Sequence, residues 1–127
     1  QQEHCLLVKN CDLGNYVDRF NPVALIWNNK ALKNIHPNIK QIYNMGEVKG
    51  LDFPNIIIYP TESMLKWIKN MTTRLADETR AKFYVAVTRA EITTGIVVPD
   101  NFCISSDSVL KFWQFDLEIH KAIKCPD

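Results

Sequence analysis

Two unbroken apolar runs constrain this chain more than any other feature. Residues 23–27 read Val-Ala-Leu-Ile-Trp, and residues 55–59 read Asn-Ile-Ile-Ile-Tyr between Pro54 and Pro60. Neither run alternates apolar with polar, as a strand with one face in water does. Continuous runs of this length mark strands buried on both faces, which occur in parallel sheets flanked by helices. Residues 5–8, 39–45 and 93–98 read as further strands. Helical segments fall between them: 12–20 with Asp12 as a capping residue, 30–35, 61–70 capped by Thr61, and 77–90. In the third of these, Met64, Leu65, Trp67 and Ile68 lie at helical spacing and form an apolar face. Ser106 or Asp107 caps a last short helix holding Val109, Leu110, Phe112 and Trp113, and 119–127 is a tail helix or a frayed end. Strands alternating with helices predict an α/β fold: a three-layer sandwich around a mostly parallel sheet.

At 127 residues the chain fits one domain with one substantial core. No run of about eighteen apolar residues is present, so no membrane-spanning helix and no membrane partner are expected. The sequence opens on Gln1-Gln2-Glu3-His4, without Met, a basic leader or an apolar leader. That start predicts a piece of a longer chain and no signal peptide. The four cysteines, Cys5, Cys11, Cys103 and Cys125, form no C-x-x-C pair, which argues against zinc. Reduced thiols in the cytoplasm are the expectation. The formal net charge of +1 excludes a dedicated DNA-binding domain with a strong basic excess. Any nucleic-acid contact would use a local stripe, the densest being Lys66, Lys69, Arg74, Arg80 and Lys82, diluted by Glu62, Asp77 and Glu78.

Two segments carry recognisable chemistry. The first, Glu47-Val48-Lys49-Gly50-Leu51-Asp52-Phe53-Pro54, runs into the strand at 55–59. Gly50 permits backbone angles closed to other residues and lets the chain turn close to a ligand. Lys49 and Asp52 flank it, at the strand ends that line the crevice of an open α/β sheet. Taken alone, the same loop is a surface turn with a solvated lysine. The second segment, Arg80-Ala81-Lys82-Phe83-Tyr84-Val85-Ala86-Val87-Thr88-Arg89-Ala90, is helical, with Phe83, Ala86, Val87 and Ala90 as its core residues. Arg89 lies near the helix C-terminus, where a cation is favoured on electrostatic grounds alone.

In this order, the two segments resemble motifs V and VI of the UvrD/Rep-type DNA helicases of superfamily 1. Lys49-Gly50-Leu51-Asp52-Phe53 is similar to Lys-Gly-Leu-Glu-Phe of motif V, with a carboxylate one methylene shorter. Tyr84-Val85-Ala86-Val87-Thr88-Arg89-Ala90 is similar to Tyr-Val-x-x-Thr-Arg-Ala of motif VI, and Glu78 and Arg80 fall where Glu and Arg precede it. The resemblance implies a RecA-like (P-loop NTPase-like) second motor domain (2A) of an ATP-dependent DNA helicase. It implies ATP with Mg²⁺ held mainly by an N-terminal RecA-like domain of the same parent protein, and single-stranded DNA as a partner. Arg89 then acts as an arginine finger on the γ-phosphate. Asp52 accepts a hydrogen bond from the ribose and Gly50 shapes the nucleotide-side loop. Asn44, Lys49 and Thr88 contact or couple to DNA.

The chain departs from that pattern at Asn44-Met45-Gly46-Glu47-Val48, which stands where the family has Thr-x-His-Ser-x; Glu47 adds negative charge there. No G-x-x-x-x-G-K-[ST] phosphate loop is present, since the glycines stand at 14, 46, 50 and 95. The chain alone is therefore expected neither to hydrolyse ATP nor to unwind DNA. The alternative reading is a non-catalytic, helicase-like module that binds protein or nucleic acid.

Overall fold

The apolar runs become the central strands of a parallel sheet. A computed structural model describes residues 5–106 and 108–114. The elements are β1 (Cys5–Lys9), α1 (Asn10–Phe20), β2 (Val23–Ile26), β3 (Ile42–Asn44), β4 (Phe53–Tyr59), α2 (Glu62–Lys69), α3 (Asp77–Val87), β5 (Ala90–Val98) and β6 (Lys111–Phe112). Short 3₁₀ turns occupy Asn29–Asn34 and Met45–Glu47. Among the described residues, six strands form one sheet in the order β3-β2-β4-β5-β1-β6, every pair parallel.

Alternation along the strands divides the side chains between two cores. Leu25, Ile56, Ile58 and Ile96 point to one face and pack against Met64 and Ile68 of α2 and Phe83 and Ala86 of α3. Ala24, Ile26, Ile57 and Val97 point to the other and meet Leu13, Tyr16 and Val17 of α1. Both faces of the sheet are covered, so the continuous apolar runs have their physical reason: residues 23–26 and 56–59 are all buried, with Trp27 and Asn55 half-buried at the ends. Three layers, α/β/α, result.

Tyr16 is fully buried and lies across β5 at Gly95. A Cβ on Gly95 would stand 2.9 Å from the Tyr16 ring and 2.8 Å from Ile57 Cδ1, so a glycine is needed for this close approach. The phenol oxygen meets Thr93 Oγ1 at 2.7 Å and the Ile56 carbonyl at 3.3 Å, and Thr93 donates on to Asn55 Oδ1 at 2.8 Å. Burial pushes the Tyr16 phenol well above its usual range.

Several expectations need correction. Helix α1 begins at Asn10, so Asp12 sits buried inside its first turn instead of capping it. The amide of Cys11 instead donates to Asp100 Oδ1 at 2.8 Å, a carboxylate delivered from beyond β5. The strand expected over 39–45 shrinks to Ile42–Asn44. Its ends are taken by a turn in which Ile39 N–H donates to the His36 carbonyl and by the 3₁₀ turn that Asn44 caps. Helix α3 stops at Val87, because the Thr88 hydroxyl donates back to the Val85 carbonyl at 2.8 Å and Ala90 already pairs with Phe53 in the sheet. Arg89 thus lies in the link between α3 and β5. The expected helix around Val109 to Trp113 is absent. Lys111 and Phe112 form a short strand instead, and Trp113 N–H donates to the Leu7 carbonyl at 2.8 Å, satisfying the free edge of β1. Asp107 and the tail at 119–127 lie outside the described residues. Helix α2, with Thr61 Oγ1 accepting from Met64 N–H at 3.2 Å, is as the sequence predicts. Among the described residues no helix is long and apolar enough to cross a membrane. Cys5, Cys11 and Cys103 are free thiols, and Cys125 lies outside the described residues.

Candidate functional site

The two motif-bearing segments meet at the amino ends of β4 and β5, so Lys49 and Asp52 do not line the carboxyl-end crevice where the sequence reading put them. Phe53 and Ala90 are register partners in the sheet. Immediately before them, the Phe53 N–H donates to the Arg89 carbonyl at 2.9 Å. The loop that leads to Phe53 turns at Gly50, where the Leu51 N–H donates to the Val48 carbonyl at 3.0 Å. Gly50 has φ +86° and open space where a Cβ would be. Backbone conformation and not crowding is therefore what calls for glycine there, as the third position of a type II turn requires. Val48, fully buried, anchors the loop to the core.

The Arg89 side chain lies over this loop. Nη1 approaches the Leu51 carbonyl at 3.5 Å and Asp52 Oδ1 at 4.0 Å, and Nη2 approaches Thr88 Oγ1 at 3.4 Å. The Nε–H is buried with no hydrogen-bond partner among the described residues. A donor in that state costs about 1–3 kcal/mol of desolvation. The Arg89 side chain is 25% exposed and that of Asp52 is 63% exposed, so the guanidinium faces the surface at its tip and is not locked to a buried carboxylate. Guanidinium N–H groups suit paired oxygens of phosphate or carboxylate. The arrangement can receive an oxyanion from outside.

Gly50, Asp52, Thr88 and Arg89 are thus brought together, with the exposed Lys49 beside them on the loop. Asn44 is not. It is level with Tyr59 through their common partner Ile26, at the carboxyl end of the sheet. At ~3.3 Å per residue the length of β4 puts it about 20 Å away. Its Oδ1 accepts from Gly46 N–H at 3.1 Å, its Nδ2 donates to the Trp27 carbonyl at 3.0 Å, and its own N–H donates to Glu47 Oε1 at 3.3 Å. Glu47, read from the sequence as an added negative charge, completes a capping box.

Two members of the basic stripe are paired on their own helix. Arg80 pairs with Asp77 at 3.2 Å and Lys82 with Glu78 at 3.1 Å, while Lys82 also lies 5.2 Å from the Trp27 ring centroid. An open, mainly apolar groove of about 830 Å³ runs along α3, lined by Trp67, Phe83, Tyr84 and Leu110 and reaching Thr88. Sequence reasoning missed the Leu51 carbonyl, a backbone acceptor that leaves no mark in residue identity. It also missed Asp100, whose only signal was its place just after the strand that pairs with β1.

Fold and site together define an α/β protein with a parallel sheet and a surface guanidinium held between two adjacent strand starts. Comparison with protein families, with curated proteins and with solved structures returned no match.

Proposed function

We propose that the chain is the C-terminal RecA-like motor domain of a UvrD/Rep-type, ATP-dependent DNA helicase. In this reading Arg89 is the arginine finger, directed at ATP and Mg²⁺ held mainly by an N-terminal RecA-like domain of the same parent protein. Gly50 and Asp52 form the ribose side of that site, and Lys49 and Thr88 couple it to single-stranded DNA; Asn44, at the far end of the sheet with its side chain bound to Trp27 and Gly46, drops out of that set. The parent would open and close the cleft between its motor domains to step along the strand, in the cytoplasm.

The observation that carries the reading is the meeting of two segments far apart in sequence: Arg89 stands 3.5 Å from the Leu51 carbonyl and 4.0 Å from Asp52. Its position restricts the role to a phosphate held by another domain. Open α/β sheets hold their own ligands at the carboxyl ends of the strands. A finger serves a phosphate bound elsewhere, and Arg89 is at the opposite, amino edge. The N-terminus of α1, which follows β1 directly, already receives the Asp100 carboxylate. That suits a domain which does not cradle phosphate itself.

A second reading, a non-catalytic helicase-like module, is favoured by Asn44, whose side chain is committed to Trp27 and Gly46. It is also favoured by the apolar groove along α3. The two separate on activity. In the full-length parent, Arg89→Ala should lower DNA-stimulated ATP hydrolysis by on the order of 10³-fold or more while leaving the fold intact. Near-normal turnover removes the finger assignment and leaves the interaction module. DNA-stimulated ATP hydrolysis by the pure 127-residue chain would contradict the division of labour itself.

A further inference from the structure

Among the described residues, every polar contact made by the Arg89 guanidinium is long. Its distances to Leu51 O, Thr88 Oγ1 and Asp52 Oδ1 are 3.5, 3.4 and 4.0 Å, and Nε has no partner among those residues. A guanidinium seated on a carboxylate or phosphate has N···O separations of about 2.7–2.9 Å. The backbone of Arg89, by contrast, is anchored: its carbonyl accepts from Phe53 N–H at 2.9 Å and its N–H donates to the Ala86 carbonyl at 3.2 Å. Any displacement therefore belongs to the side chain. The side chain is retained near its own loop without being satisfied there.

The geometry points to a latch: Asp52 is a positioning residue that holds the Arg89 guanidinium back over the Leu51 carbonyl, and an incoming polyphosphate releases it by taking the same Nη donors. The latch rests on reading Arg89 as phosphate-directed. It gives Asp52 a role beyond ribose contact, with the opposite sign. As a ribose acceptor, Asp52 strengthens nucleotide binding and is indifferent to a polyphosphate that has no ribose. As a latch, it competes with the polyphosphate. Replacing Asp52 by Asn keeps the shape of the side chain and removes the competing charge. At 63% exposure the change leaves the core untouched.

The test uses the 127-residue chain labelled with nitrogen-15 arginine, the Arg89 Nε–H resonance being assigned by its loss in Arg89→Lys. Without any anion, the Nε–H of Asp52→Asn should exchange with water several-fold faster than that of the native chain, because the guanidinium is no longer retained. Inorganic tripolyphosphate should then shift the resonance at a several-fold lower concentration, and Asp52→Glu should restore both behaviours. An unchanged exchange rate in Asp52→Asn overturns the latch even if tripolyphosphate binds more tightly, since removing any nearby negative charge gives tighter binding. The outcome is independent of the Arg89→Ala turnover measurement in the parent, so failure of the latch and failure of the motor reading are told apart.

Discussion

The Phe53 N–H donates to the carbonyl of Arg89 at 2.9 Å, and this one bond joins the two motif-bearing segments at the start of adjacent parallel strands. It fixes the main chain beside the guanidinium while the side chain lies over the loop with its tip at the surface. Position is set by the sheet and chemistry by the side chain, so the two can be perturbed separately.

Arg89→Lys tests the chemistry. Lysine keeps the charge but presents a compact ammonium that cannot offer paired N–H groups to phosphate oxygens. The substitution is expected to leave the melting temperature of the chain unchanged. In the parent it should recover only a minor part of the turnover lost in Arg89→Ala. Recovery to native rates would mean that charge alone matters there. Parallel thermal melts and steady-state ATP hydrolysis decide between these outcomes.

Two glycine substitutions should destabilise for different reasons. Gly50→Ala meets no atoms but must adopt φ +86°, and should cost about 1–2 kcal/mol. Gly95→Ala has an ordinary backbone but drives a methyl group to within 2.8–3.0 Å of Ile57, Tyr16 and Val8. Overpacking of this kind costs about 1–3 kcal/mol. Urea unfolding gives both values, and Tyr16→Phe, which keeps the ring, should not relieve the Gly95→Ala penalty.

Asp100→Ala removes the carboxylate that accepts from Cys11 N–H in the first turn of α1. A loss of about 0.5–2 kcal/mol is expected, with Asp100→Asn losing less because it keeps an acceptor oxygen. Equal losses for the two substitutions, measured by denaturant unfolding at low and moderate salt, would show that charge contributes everything and the hydrogen bond nothing.

Burial pushes the Cys5 thiol up to about 11. The unfolded thiol ionises at lower pH than the folded one, so the folded state holds more protons between those limits. Stability from this group is complete below the ordinary thiol range and is lost as pH rises through about 11. The native chain should therefore lose stability from about pH 9 upward. Cys5→Ala should flatten part of that slope, by at most about 1.4 kcal/mol per pH unit. Burial also raises Tyr16 and Tyr59, which steepen the same limb in both proteins. Denaturant unfolding across this range measures the difference. At pH 8, thiol reagents should react slowly at Cys5, because the thiolate is the reacting form.

Much of the architecture was legible from local pattern. The unbroken runs at 23–27 and 55–59 could be satisfied only by burial on both faces, and they became β2 and β4. Thr61 at a helix start and the apolar spacing of Met64 and Ile68 are short-range signals, and α2 followed them. The failures came where long-range pairing overrode local preference. Helical spacing in Val109 to Trp113 gave way to a strand because the edge of β1 had donors and acceptors to satisfy. Asp12 looked like a cap until a distant carboxylate took that place.

Residue types and spacing alone determined that this chain forms an α/β fold and which of its strands are buried on both faces, since burial periodicity is a local property. Tertiary structure decided the strand order, the amino-edge position of Arg89, its 4.0 Å separation from Asp52, and the removal of Asn44 to the far end of the sheet. Those depend on hydrogen bonds between strands remote in sequence, and no window of neighbouring residues encodes which strand will lie beside which.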